Sequence, residues 1–392
     1  MWRETMRIPG RPPTFPWRER NRFELLPQGS RYLPAMLQAI EDARAQVALE
    51  AYWFASGAVA DRFVQALADA ARRGVRVLLL IDDYGSSDLE SSDRRRLTSA
   101  GVVLARFNPL RVRLGWGNLV RDHRKLLLVD DRLAFVGGAG LADPFDGADG
   151  WRENMLRIEG ECVADWWALF HRVWRRWSEV ECPQPAARPA GGTRGRALAG
   201  GPGPWRPVLA AALADIARAR ERVWLVTPYF LPPMKLRRAL ARARRRGCDV
   251  RLLLPDAAHC DVPAVQAAGR RYYDWLLRRS IRVFEYGDRM LHQKVLLTDG
   301  RATLGSCNFD RWGLRWNLEA NQALQGGPIV DAVAGMLAAD FERCREVTFA
   351  EYERRSWSER LREAFWSWVD AAAARAAQRR LVHEERISRR DG

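Results

Sequence analysis

Two short stretches of the sequence carry histidine, lysine and aspartate at one shared spacing, H-x-K-x4-D. The residues are His123, Lys125 and Asp130 in RDHRKLLLVDD, and His292, Lys294 and Asp299 in LHQKVLLTDG. Lysine is otherwise rare, since only three of the 64 Lys and Arg residues are lysines and two of those three lie in these motifs. The choice indicates that a compact ammonium group, rather than the planar fork of arginine, is required there.

The spacing of each motif also predicts the direction of its side chains. A histidine and a lysine two positions apart on a strand lie on the same face, because side chains alternate with a period of two. Asp130 and Asp299 lie an odd number of positions from the histidines, so we expect them to face the other way and to brace the turn or the backbone. If the two halves meet about a pseudo-twofold axis, both His and Lys faces converge on one site.

Two imidazoles and two ammonium groups in one site are suited to phosphoryl-ester chemistry. One imidazole can attack phosphorus and form a covalent phosphohistidine, while the other protonates the leaving alkoxide and later deprotonates the acceptor. This division of labour needs one neutral and one charged histidine when the substrate arrives, so their titrations should be coupled. The lysines would stabilise the phosphate oxygens as charge shifts in the transition state.

The sequence predicts neither a metal ion nor a cofactor. The six cysteines show no C-x-x-C pair and no zinc-like spacing with histidine. They are typical of free thiols in a reducing compartment.

Further polar residues follow each motif. Glu153, in WRENM, and Glu319, in NLEAN, stand at similar distances after the two histidines and are candidates to orient the imidazoles, although a lone glutamate is more commonly a solvated charge. In GSCNFD, Gly305 would let the backbone approach a phosphate closely, and Ser306 and Asn308 could hydrogen-bond it. The matching first-half stretch, GGAGLAD, has Gly138 and Gly140 at the corresponding places and offers no side-chain donor. The predicted site is therefore asymmetric.

Repeated helices and strands must position these residues. Each half shows an amphipathic helix, an apolar strand, a second helix ending at Gly74 or Gly247, another apolar strand, and then the motif strand and its partner. This alternation predicts an α/β fold of two tandem lobes, each a mixed β-sheet flanked by helices, related by pseudo-twofold symmetry and sharing one active site. The predicted divisions are a basic N-terminal segment (1–21), a first lobe (22–181), a Pro/Gly-rich linker (182–206), a second lobe (207–347) and a C-terminal amphipathic helix with a basic tail (348–392).

Charge and hydropathy limit the partners. The formal net charge of +16 predicts either nucleic acid or an anionic membrane surface. The chain has no run of 18 apolar residues and no secretory signal, which predicts a cytosolic protein that can touch a membrane from that side.

The sequence allows two interpretations for each of two segments. The stripe of Val163, Trp166, Trp167, Phe170, Trp174 and Trp177 is more typical of a core-facing helix than of a membrane or partner face. Residues 108–123 mix apolar residues with arginine, which fits equally an interfacial segment and an ordinary loop over the site.

The two H-x-K-x4-D motifs, the G-S-x-N-x-D run and the duplicated halves resemble the phospholipase D superfamily from about residue 22 to residue 346. More narrowly, LEAYWF, TPYFLPP, DHRKLLLVDDRLAFVGG and NLEAN resemble the bacterial cardiolipin synthases of the short type without N-terminal membrane helices. This family often has asparagine where Gly140 stands here.

The resemblance implies that the six motif residues are catalytic, with His123 as the nucleophile and His292 as the acid and base. It implies transfer of a phosphatidyl group from phosphatidylglycerol to an alcohol on a second phospholipid, giving cardiolipin, at the cytoplasmic face of the bacterial cell membrane. The acceptor could be phosphatidylglycerol or phosphatidylethanolamine.

Other functions stay open at this point. The same residues could serve another phosphatidyltransferase, a phospholipase D that uses water as the acceptor, or, with less support, a nuclease. A non-catalytic basic scaffold at the membrane is a further alternative. Nucleic acid is the less favoured partner.

Overall fold

The computed structural model describes residues 11–111, 118–203 and 205–390, and the side chains of residues 374–390 are not described. The strands are β1 (Arg18–Leu26), β2 (Gln46–Ala51), β3 (Arg76–Asp82), β4 (Val103–Phe107), β5 (Leu126–Val129), β6 (Leu133–Gly137), β7 (Met155–Gly160), β8 (Thr193–Gly200), β9 (Arg222–Val226), β10 (Asp249–Pro255), β11 (Arg282–Tyr286), β12 (Val295–Thr298), β13 (Arg301–Gly305), β14 (Glu319–Gln325) and β15 (Arg345–Glu346).

Helices lie between most of these strands. The helices are α1 (Gly29–Glu41), α2 (Ala58–Arg72), α3 (Ser91–Ser99), α4 (Cys162–Trp177), α5 (Pro207–Arg218), α6 (Met234–Arg245), α7 (Pro263–Arg270), α8 (Tyr273–Leu277), α9 (Gly313–Trp316), α10 (Pro328–Glu342), α11 (Phe349–Glu353) and α12 (Trp357–Arg390), and a 3-10 turn spans Asp143–Phe145.

The strand order repeats from the centre of the sheet outward. On one side of the centre the order is β1, β7, β6, β5, β2, β3, β4, and on the other it is β8, β14, β13, β12, β9, β10, β11 and the short β15. In both halves the outer strands β2–β3–β4 and β9–β10–β11 run parallel, whereas the motif hairpins pair antiparallel. Parallel strands need helices on their faces, which explains the apolar runs in β2 and β3. The predicted α/β class with two related halves is confirmed.

The two half-sheets are joined into one. Strand β1 pairs antiparallel with β8, through Arg18 opposite Gly195 and Asn21 opposite Thr193. Strand β8 lies inside the segment 182–206, so only part of that segment links the lobes. Likewise, β1 begins within the segment 1–21. Sequence patterns did not indicate either strand, because β1 carries alternating charged residues and β8 is rich in glycine and arginine.

The tryptophan-rich helix α4 lies in the core between the lobes. Trp166, Trp167 and Trp174 are fully buried, and the cluster around them includes apolar side chains from both halves of the chain. Trp166 Nε1 donates to Gln322 Oε1 at 2.9 Å, which ties α4 to β14 of the other lobe. The core-facing interpretation of this stripe is therefore correct, and its partner surface includes the second lobe.

Within the described ranges, no helix combines the length and the apolar character needed to span a bilayer.

Candidate active site

Each motif histidine is held by the backbone of the opposite lobe. The backbone N–H of His123 donates to the carbonyl oxygen of Leu318 at 3.0 Å, and that of His292 donates to the carbonyl oxygen of Arg152 at 2.9 Å. Asp122 and Leu291, the residues just before the histidines, form short parallel bridges to the opposite lobe. The residue after each acceptor is a glutamate, so the bridge carries the glutamate of one lobe to the histidine of the other.

The imidazoles and the glutamates consequently pair crosswise. His123 Nδ1 lies 3.0 and 3.1 Å from the two carboxylate oxygens of Glu319, and His292 Nδ1 lies 2.8 Å from Glu153 Oε2. Both glutamates are completely buried. A carboxylate on Nδ1 fixes the ring orientation and the tautomer, and it leaves Nε2 as the nitrogen for chemistry. Neither lobe can complete this arrangement alone.

The two lysines lie beside the histidines of their own motifs. Lys125 Nζ donates to the backbone oxygen of His123 at 2.7 Å and lies 4.8 Å from the ring centre of Tyr52, as a cation over an aromatic face. Lys294 Nζ lies 3.4 Å from Glu153 Oε2 and 2.8 Å from His292 Nδ1. One nitrogen cannot both donate to Glu153 and accept from Lys294. We assign the Nδ1 proton to the Glu153 bond, because Lys294 has the carboxylate and the His292 carbonyl as alternative acceptors.

Burial dominates the ionisation of the site. It lowers the pKa of both imidazoles well below the ordinary value, and the nearby lysines lower them further. Burial also lowers the pKa of Lys125 to about 7 and raises the pKa of Glu319 to about 8 and that of Glu153 to about 7. Each shift disfavours the charged form of its group. An incoming phosphate anion would reverse this tendency for the lysines and the imidazoles.

The motif aspartates lie apart from these groups. Asp130 Oδ1 accepts from the backbone N–H of Ala45 at 2.8 Å and of Gln46 at 3.0 Å, and its other oxygen faces the N–H of Arg44. Asp299 accepts in the same way from the backbone N–H groups of residues 220–222. Both carboxylates therefore bind the backbone at the start of strands β2 and β9, as the odd spacing predicts, and a catalytic role for Asp130 and Asp299 stays a prediction.

Ser306 binds the site glutamate. Its Oγ donates to Glu319 Oε2 at 2.6 Å and accepts from the backbone N–H of Ala320 at 3.0 Å. A Cβ on Gly305 would lie 2.3 Å from the Ala320 carbonyl oxygen, so this glycine permits the close packing of β13 on β14. Ser306 therefore holds Glu319 in place, and contact of Gly305 and Ser306 with a phosphate stays a prediction. Asn308 is buried, and its Oδ1 has no hydrogen-bond partner among the described residues.

The first lobe supports its glutamate differently. A Cβ on Gly138, which occupies the position of Ser306, would lie 2.1 Å from Glu153 Oε2. The carboxylate therefore fills the space that a serine side chain would need. Glu153 Oε1 accepts instead from the backbone N–H of Asn154 at 2.8 Å. The predicted asymmetry is present, and it concerns the supports of the two glutamates.

Both histidines open onto one cavity of about 540 Å3. Aromatic and acidic side chains that the sequence did not single out complete its wall, namely Tyr52, Trp53, Tyr84, Asp88, Phe145, Trp151, Tyr229 and Asp261. Phe145 and Trp151 contact the His292 ring at centre distances of 5.4 and 5.3 Å. The runs AYWF and TPYF could have indicated some of these residues. They lie at the ends of the equivalent strands β2 and β9, and these ends meet at the site.

The segment before the first motif is anchored at its described end. Arg121 is buried and donates to Asp82 Oδ1 at 3.3 Å and to the Asn108 backbone oxygen at 3.1 Å. Leu110 and Leu119 are exposed. The central residues 112–117, which include Val112, Leu114 and Trp116, lie outside the described residues, so both interpretations of this segment stand. Among the described residues, no group of three or more His, Cys, Asp or Glu side chains is arranged to hold a metal ion.

Comparisons with known proteins agree on one family. A family model described as a cardiolipin synthase, PLD-like domain matches residues 36–174 and again 212–344. Cardiolipin synthase B of Escherichia coli K12 is 32% identical over 368 residues, covering 87% of this chain and 86% of that protein. A probable cardiolipin synthase of Bacillus subtilis is 29% identical over 364 residues, covering 88% of this chain and 71% of that protein. The crystal structure of a phosphatidylserine synthase from Haemophilus influenzae has the same fold, with a TM-score of 0.70 at 13% identity over 91% of this chain and 94% of that one.

Proposed function

The chain belongs to the cardiolipin synthase family with phospholipase D-like domains, and on that premise we propose that it transfers a phosphatidyl group from phosphatidylglycerol to a second phospholipid. The observation that carries the mechanism is the crosswise pairing of His123 with Glu319 and of His292 with Glu153 around one cavity. Two oriented imidazoles, with lysines beside them, suit a double displacement at phosphorus.

In the first step His123 is the nucleophile. Its Nε2 forms a bond to phosphorus as the bond from phosphorus to the glycerol headgroup oxygen breaks. His292 gives its Nε2 proton to that oxygen, and glycerol leaves. The phosphohistidine ring carries positive charge, which Glu319 stabilises from Nδ1 at 3.0 Å.

In the second step His292 acts as the base. It takes the proton from a headgroup hydroxyl of the second lipid, the hydroxyl oxygen bonds to phosphorus, and the bond between phosphorus and His123 breaks. One phosphodiester replaces another, so the reaction needs no nucleotide. The products are cardiolipin and glycerol when the acceptor is phosphatidylglycerol.

The protonation states fit this order. A neutral His123 is required at the start, and burial lowers its pKa in that direction. His292 must be protonated at the start, although burial and Lys294 lower its pKa. The phosphodiester brings a negative charge beside both imidazoles, which favours one added proton. Substrate binding and protonation of His292 are therefore coupled.

A lipid acceptor competes with water for the same intermediate. The aromatic side chains around His292 exclude water from one side of the cavity, which favours an alcohol that arrives with its own apolar anchor. The net charge of +16 supports action as a peripheral protein on the anionic cytoplasmic face of the membrane.

The test uses purified protein and vesicles of labelled phosphatidylglycerol, with and without phosphatidylethanolamine, followed by separation of the lipids. Cardiolipin and glycerol should form with the wild-type protein and not with the His123→Ala variant. Cardiolipin that forms only with phosphatidylethanolamine, with release of ethanolamine, would identify that lipid as the donor and phosphatidylglycerol as the acceptor, because the ethanolamine headgroup has no hydroxyl to accept the phosphatidyl group. Phosphatidic acid as the sole lipid product would mean that water is the acceptor, and absence of any lipid product would overturn the proposal.

A further inference from the structure

Helix α12 carries a row of large apolar side chains directed to solvent. Trp357 is 76% exposed, Leu361 49%, Phe365 55% and Trp368 62%. At 100° per residue these four positions fall within an arc of about 80° on the helix surface. We call Trp357, Leu361, Phe365 and Trp368 the aromatic stripe. Large side chains of this kind in one continuous row mark an interaction surface.

The opposite face of α12 is already occupied by the protein. The helix packs against α7. Glu363 is buried there and lies 3.4 Å from Arg270 Nε, at the end of α7. Further along, Asp370 Oδ1 accepts from Trp312 Nε1 at 2.9 Å. These contacts fix the rotation of the helix, so the aromatic stripe must point outward.

Arginines border the stripe on both sides. By the same angular count, Arg360 lies beyond one edge of the stripe and Arg362 beyond the other, and both are exposed. The acidic residues Glu363 and Asp370 lie on the protein side. A helix with Trp, Phe and Leu outward, and basic residues at the level where lipid headgroups begin, has the pattern of an interfacial membrane helix.

Helix α12 is connected through its packing to segments that carry residues of the active site. Helix α7, against which α12 packs, begins immediately after Asp261 and Val262, and Asp261 lines the catalytic cavity. Trp312, the contact of Asp370, lies four residues after Asn308.

We propose that the aromatic stripe of α12 inserts into the headgroup region of an anionic bilayer and docks the enzyme on the membrane that contains its substrates. The choice of a bilayer rests in part on the proposed function, and in part on charge. A second copy would bring together two proteins of net charge +16, whereas an anionic surface complements that charge.

The experiment compares the full-length protein with a variant in which all four stripe residues are replaced by serine. Co-sedimentation with vesicles of phosphatidylcholine and phosphatidylglycerol measures the partition coefficient. We expect the variant to lose about a hundredfold in partitioning, since several partly exposed apolar side chains no longer enter the bilayer. Replacing Arg360 and Arg362 by glutamine should cost about fivefold per arginine, and only with anionic vesicles.

A matched control replaces apolar side chains that are exposed elsewhere. Val180 is 43% and Trp205 is 44% exposed, and their replacement by serine should leave partitioning unchanged. Circular dichroism and thermal unfolding confirm that each variant folds. Because the stripe is on the surface, the unfolding midpoint should stay within a few degrees of the wild type.

Activity on a short-chain phosphatidylglycerol below its critical micelle concentration separates docking from chemistry. The stripe variant should keep this activity within about threefold while losing turnover on vesicles. Equal sedimentation of the stripe variant and the wild type would overturn the proposal, and so would a wild type that does not sediment. A change from dimer to monomer with unchanged vesicle binding would assign the stripe to a second copy. If no lipid product forms with any protein, the proposed function fails, but sedimentation still decides the docking.

Discussion

Replacement of Glu319 by glutamine should reduce the rate of phosphatidyl transfer by several orders of magnitude while leaving the fold and substrate binding nearly intact. Glutamine has the same shape, and its amide oxygen can still accept the Nδ1 proton of His123. The Ser306 hydroxyl can turn to accept from the amide nitrogen. The change removes the negative charge and little else.

The size of the effect follows from the distance between the carboxylate and the ring. Charge on the His123 imidazole develops as the bond to phosphorus forms, with Glu319 Oε1 3.0 Å from Nδ1. Two unit charges at that distance interact by about 5 kcal/mol at an effective dielectric constant of about 20. That corresponds to about 10^4 in rate. The ring is neutral while substrate binds, so the loss should appear in kcat and not in KM.

The assay follows cardiolipin formation from labelled phosphatidylglycerol over a range of substrate concentrations. Glu161→Gln is the matched control, because Glu161 pairs with Arg20 near the surface, away from the site. It should keep the wild-type rate. A loss of less than tenfold in a correctly folded Glu319→Gln protein would refute the charge-stabilisation argument, and an effect confined to KM would assign Glu319 to substrate binding.

Three further predictions follow from other contacts. The profile of kcat/KM against pH should be bell-shaped with a maximum between about 7 and 8. Lys125, whose pKa is about 7, loses its required positive charge as pH rises. Glu319, whose pKa is about 8, loses its required negative charge as pH falls. The Glu319→Gln variant should lose the acid limb alone, and a flat wild-type profile would contradict both assignments. Asp130→Ala should lower the free energy of unfolding by about 2–4 kcal/mol, because backbone N–H groups at the start of β2 lose their acceptor. The kcat per folded molecule should change less than tenfold. A loss of activity equal to that of His123→Ala, at unchanged stability, would show that Asp130 takes part in catalysis. Asp340→Ala should destabilise the protein by about 3–5 kcal/mol in urea unfolding, because it leaves Arg152 buried without the carboxylate that it contacts at 2.9 and 3.0 Å. Asp340→Asn should destabilise it less. Equal stability of both variants and the wild type would show that this ion pair does not hold the lobes together.

Local periodicity predicted much of the fold and part of the site. The duplicated alternation of helices and strands predicted two related halves, because each element type has its own hydrophobic period. The two-residue spacing of His123 and Lys125 placed both on one face, and the odd spacing of Asp130 directed it to the backbone. These relations hold within one short segment, so neighbouring residues suffice to determine them.

Contacts between the lobes could not be predicted from local periodicity. Glu153 and Glu319 follow the histidines at similar distances, and pairing within a lobe or across the lobes leaves the same pattern in the sequence. The choice depends on the bridges from Leu318 to His123 and from Arg152 to His292, which form only when the halves pack. The bond from Ser306 to Glu319 was missed for the same reason, since Glu319 lies on the neighbouring strand β14.

In the proposed mechanism one histidine forms a covalent bond to phosphorus and the other moves protons. A phosphatidyl ester of p-nitrophenol tests it directly, because this leaving group departs without an added proton, so the first step does not require His292. Rapid mixing with His292→Asn should release one p-nitrophenol per protein in a burst and then stop, and the phosphatidyl group should be recovered on the peptide that contains His123. His123→Asn should give no burst. A burst in His123→Asn but not in His292→Asn would exchange the two roles, and the absence of a burst and of any protein adduct in both variants and the wild type would contradict the covalent mechanism.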